Sequence, residues 1–61
     1  MRQQFEEPIE PRFAVVEIDG NIRTQLTVHW TVAQAESAAA KVIREYGVNA
    51  RAVDRRTGRL V

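Results

Sequence analysis

Few residues in this chain are of types that do chemistry, and their spacing tells against most reactions. There is one histidine and no cysteine, which excludes a thiol nucleophile, a disulfide and a thiolate zinc site. His29 falls on the polar side of an alternating stretch, with no cysteine nearby. Ser37 falls on the polar side of a helical pattern, where solvation is the default. Glu6, Glu7 and Glu10 are interspersed with Pro8 and Pro11, in a segment that would not hold a general acid in place. Gly20 and Gly58 stand in turn contexts rather than in a phosphate-cradling loop. The expectation is a protein that is not an enzyme, with no catalytic residue, no cofactor and no metal.

The arginines are the other chemical feature. Arg51, Arg55, Arg56 and Arg59 crowd into nine positions, and a guanidinium fork matches a phosphate. The first nineteen residues are acidic and the carboxyl half basic, an asymmetry that can mark a nucleic-acid surface. Asp54 interrupts the cluster, and only Phe13 and His29 could stack on bases. Arginine outnumbers lysine eight to one, with alanine and valine also abundant. All three have GC-rich codons, so genome composition accounts for much of the bias. Nucleic-acid binding through these arginines is therefore the alternative reading.

Sixty-one residues make one domain at the small end of what folds unaided. Burial against ordering entropy comes out near break-even at this size, so self-association as a homodimer is expected to help. The net charge of +1 argues by itself for neither nucleic acid nor membrane. No apolar run has the length of a signal peptide core or a membrane span. A cytoplasmic protein without membrane contact is expected.

The elements that must position these residues are clearest between Ile22 and Gly47. Ile22, Leu26, Val28 and Trp30 are set among Arg23, Gln25, Thr27 and His29, the pattern of a strand with one dry face. From Thr31 the period is helical. Thr31 is placed to cap and Gln34 to complete a capping box, with Glu36 suited to the helix dipole. Val32, Ala35, Ala39, Val42, Ile43 and Tyr46 share one stripe, and Gly47 is placed to end the helix. Before this, Arg12–Asp19 is apolar on both faces, as a central strand is. After it, Val48–Arg55 forms a third strand, with Arg51, Val53 and Arg55 on one face and Val48, Ala50 and Ala52 on the other. Leu60 and Val61 could add a fourth beyond the turn Arg56–Arg59. Residues 1–11, acidic and Pro-containing, read as an extended or disordered arm preceding a single domain over 12–61.

The expected fold is α+β, a two-layer β-β-α-β(β) arrangement. Its small, mainly antiparallel sheet has three strands in the order 2-1-3, with one helix on one face. A three-residue loop over Asp19–Asn21 is preferred, because a two-residue loop would set Glu17 beside the core. In that register the uncovered face shows Phe13 and Val15, flanked by Arg23, Gln25, Thr27, His29, Arg51, Val53 and Arg55. Apolar residues rimmed by basic ones fit a contact surface. The residues expected to bind a protein partner, which could be a second copy, are Phe13, Val15, Arg23, His29, Arg51, Val53 and Arg55. The edge of the second strand is a further place where a partner strand could add.

The hairpin, the opening Thr31-Val32-Ala33-Gln34-Ala35-Glu36 of an alanine-rich helix and the ending Val53-Asp54-Arg55-Arg56-Thr57-Gly58-Arg59-Leu60-Val61 together resemble small uncharacterised β-β-α-β proteins of actinobacteria and their phages. The resemblance covers most of residues 12–61 and implies a GC-rich genome and an accessory phage or mobile-element role. It transfers no site residue.

Overall fold

The computed structural model describes residues 10–61, and the acidic arm lies outside the described residues apart from Glu10 and Pro11. Three strands and a helix follow in the order β1 (Phe13–Asp19), β2 (Ile22–His29), α1 (Val32–Tyr46) and β3 (Ala50–Asp54). The sheet order is β2-β1-β3, with β1 antiparallel to both neighbours. The α+β class and strand order are those expected from the sequence. β1 is central because it alone can bury both faces: Ala14, Val15 and Val16 in succession are all buried. Leu60 forms an isolated antiparallel bridge to Val53, a remnant of the anticipated fourth strand.

The helix is built from local chemistry. The Thr31 hydroxyl accepts the Gln34 N–H at 3.1 Å, and the Gln34 side chain accepts the Trp30 N–H at 3.1 Å. These satisfy donors that a helix start leaves free. Gly47 closes the other end at φ 68°, donating to Ile43 O at 2.9 Å, a left-handed position that glycine takes without steric cost.

The hairpin departs from expectation. Asp19 pairs with Ile22, so the loop is Gly20–Asn21, two residues rather than three. Gly20 carries the positive φ of 63° that the first central position of a tight II′ hairpin turn requires. A bulge follows, because Val15 pairs with Thr27 while the adjacent Val16 pairs with Gln25, leaving Leu26 as the extra residue. The charge that the three-residue loop was meant to spare does not reach the core. Glu17 is half-buried at the rim of a groove that Lys41 also lines.

Which face the helix covers is decided by β3. Its Ala50 and Ala52 side is small enough for Ala35 and Ala39 of α1 to approach closely, and all four are buried. Val15 pairs with Ala52 across the sheet and so faces the helix, packing with Ala39 and Ala50. Ala14, Val16 and Val53, with Ile18 beside them, form a second cluster on the opposite face. The core therefore has two thin leaves with β1 between them.

Candidate protein-contact surface

The register moves several of the expected contact residues. Val15, expected on the uncovered face, is fully buried under the helix, and Phe13 two positions before it shares that side, half-buried beneath the Arg12 guanidinium at 5.5 Å. Thr27 and His29, paired with Val15 and Phe13, follow them. His29 Nε2 and the Thr27 hydroxyl are hydrogen-bonded at 2.8 Å, and His29 borders a shallow depression with Ser37, Lys41 and Arg44. The docking patch centred on Phe13 and Val15 is thus not formed. The cause is the shorter loop together with the small-residue side of β3, which draws the helix onto the Val15 face.

Arg23, Gln25, Arg51 and Val53 do stand on the face away from the helix, opposite Ile18, Val16, Val16 and Ala14. That face is less bare than expected. Val53 is buried, and a row Val28–Ala14–Val53–Leu60 crosses it in register. Arg23 donates to Gly58 O at 2.9 Å across 35 positions of sequence, drawing the carboxyl-terminal turn toward the start of β2.

The arginines divide by what they touch. Arg12 binds Asp54 through Nε at 3.0 Å and Nη2 at 2.7 Å. Asp54 also accepts the Arg56 N–H at 2.9 Å. The Arg12 guanidinium is the main reason the Asp54 carboxyl is held down to about 2; burial opposes this and the Arg56 amide assists it. Arg55 donates to Pro11 O at 2.8 Å and lies 3.5 Å from Glu10. Arg12, Arg23 and Arg55 therefore tie the chain to itself, while Arg51, Arg56 and Arg59 remain exposed.

The larger apolar side chains lie elsewhere. Among the described residues, the buried hydrophobic ones are five alanines and three valines. Leu26, Val28, Trp30 (57%), Ile43, Tyr46 (72%) and Ile22 (64%) all remain substantially exposed. The alternation of β2 and the stripe on α1 suggested core positions for all six, and the structure does not bear this out. The bulge and the alanine-led approach of α1 toward β1 and β3 leave β2 at the margin. Between β2 and the second half of α1 runs an open groove of about 610 Å³. Leu26, Val42, Tyr46 and Val48 line its floor and walls, with Glu17, Lys41 and Glu45 among its borders. The sequence signal for it was present as an excess of large apolar residues over what one helix can cover.

Among the described residues, no group of three or more metal-ligating side chains comes together, and no helix is long and apolar enough to cross a membrane. No protein-family model matches the chain, and no curated protein or solved structure matches it.

Proposed function

We propose that this protein is a non-enzymatic interaction module that binds another protein chain, through the β2 margin rather than the face expected from sequence. One observation carries the reading: six large apolar side chains are exposed around β2 and α1 while alanine and valine make up the core. Scattered exposed hydrophobes are ordinary, but a contiguous apolar groove beside a free strand edge is the character of a contact surface. A domain this small also gains little from its own core, so association supplies what folding alone lacks. An accessory role in a phage or mobile element, and a cytoplasmic location, fit such a module and belong to the same proposal.

The test is thermal unfolding across a wide range of protein concentration, paired with capture by the immobilised protein from its host's lysate. A partner that binds only the folded state raises the midpoint by mass action. A midpoint independent of concentration, together with no protein captured, would overturn the reading. The nucleic-acid alternative rests on Arg51, Arg56 and Arg59, and it is the weaker because Arg12, Arg23 and Arg55 are occupied within the chain. It requires duplex or single-strand binding that weakens steeply with salt.

A further inference from the structure

We propose that the partner at this margin is a second copy of the chain, paired antiparallel along β2. This makes one six-stranded sheet, β3-β1-β2-β2-β1-β3, and it rests on the protein-contact reading above.

The first observation is the edge itself. β2 is the longest strand at eight residues and lies outermost in the sheet. Natural edges are guarded by proline, charged side chains or bulges, and residues 22–30 contain no proline, lysine or acid and one arginine, Arg23. Two protective devices are present, the bulge at Leu26 and the charge of Arg23, and the Arg23 guanidinium is drawn away to Gly58 O. Ile18 donates its N–H to Asn49 on the β3 side. Alternation in an antiparallel ladder then turns the backbone groups of Arg23, Gln25 and Val28 toward the free edge.

The second observation is where the exposed side chains fall. Leu26 opens into the groove on the helix side, and Ile22 shares that side through its pairing with Asp19. Val28 is on the opposite face beside Ala14. A partner laid flat on either face would cover one set and leave the other wet. A strand laid alongside covers both, above and below the sheet.

The third observation selects the copy over a foreign strand. Thr24–Val28 is uncharged, so two-fold pairing about this centre sets no like charges opposite one another at the middle of the interface. The groove beside it carries Lys41 together with Glu17 and Glu45, both signs on one surface, which a two-fold axis can match to itself. A strand chosen from another protein by charge would need a single sign here. The missing burial is also needed whenever the chain is folded, which an identical copy supplies at every synthesis.

A chain of this length is accessible to total synthesis, which permits a single N-methyl group on the Gln25 amide. This blocks the outward donor while leaving the bonds between β2 and β1 untouched. Sedimentation equilibrium should show a wild-type dimer and, for the N-methyl chain, dimerisation weakened about a hundredfold or more. Gln25→Pro should do the same, and circular dichroism of both reports whether the fold survives. A dimer of unchanged affinity in a folded N-methyl chain would overturn edge pairing while leaving the contact reading intact. A wild-type chain that stays monomeric at millimolar concentration would overturn pairing with a copy, and the contact reading would then stand or fall on capture alone.

Discussion

β1 and β2 are neighbours in one ladder and of similar length, and they have opposite fates. β1 is buried on both faces at Ala14, Val15 and Val16, whereas seven of the eight residues of β2 are exposed. Hydrophobicity alone does not explain it: β1 is the more apolar strand, yet Ile22 and Val28 are more apolar than the Asp19 and Ala14 they pair with and still remain exposed. The difference lies in the number of sides on which each strand has company. β1 has a strand to either side, a helix above and the carboxyl-terminal turn drawn toward its lower face. β2 has one strand and the margin of a groove. Apolar side chains in a small domain become core only where two other elements already meet.

The comparison can be broken most severely at Val15, the largest fully buried side chain among the described residues. Val15→Asp should abolish cooperative unfolding, because an unpaired charge there costs several kcal/mol, comparable to the whole stability of the domain. Val28→Asp, one ladder position away on β2, should leave the chain folded in circular dichroism while weakening its association. Equal damage from both would show that the two strands share one core after all. Val15→Ala should cost roughly 2 kcal/mol in denaturant unfolding, against less than about 0.5 kcal/mol for Val28→Ala measured on the monomer.

A second test acts on what keeps β3 beside β1. Asp54 is lowered to about 2 by Arg12, against an ordinary unfolded value near 3.9. A lowered carboxyl stabilises the fold above its unfolded value, and that contribution is lost as pH falls from about 4 toward 2. Thermal midpoints should drop through that window, and Asp54→Asn should flatten the drop while lowering the midpoint at neutral pH by several degrees. A wild-type profile as flat as that of the variant would remove Asp54 from the account.

Smaller effects are expected from the helix that covers β1. Thr31→Ala should cost about 1 kcal/mol by freeing the Gln34 amide, read from urea unfolding. The smallest belongs to Arg23, whose exposed bond to Gly58 O joins β2 to the turn. Arg23→Gln should change stability by no more than about 0.5 kcal/mol, and faster amide exchange around residues 56–59 would report the loss of that tether.

What could be read in the chain follows from how local each determinant is. The caps of α1 depend on Thr31, Gln34 and Gly47 within a turn of their targets; Thr31 and Gly47 bond as their positions suggest, while the Gln34 side chain reaches the Trp30 amide, one residue before the cap. The strand order was legible in the two-sided apolar run of β1. The choice of face was not, since it depends on a loop one residue shorter than expected, an extra residue at Leu26 and the fit of Ala50 and Ala52 against Ala39. Each is settled by packing between segments more than ten positions apart. Arg51, Arg23 and Val53 were placed on the correct face because β3 and the outer half of β2 carry their own pattern. Val15 and Phe13 were not, because a strand greasy on both sides holds no local mark of which side the helix prefers.

The order β2-β1-β3 has a temporal side. The middle strand is synthesised first, and its second neighbour follows only after the hairpin and a fifteen-residue helix. A nascent chain must therefore hold the inner seam of its sheet open until β3 has been synthesised. During that interval the exposed flank of β1, rather than β2, is where a ribosome-bound chain is open to capture by a neighbour.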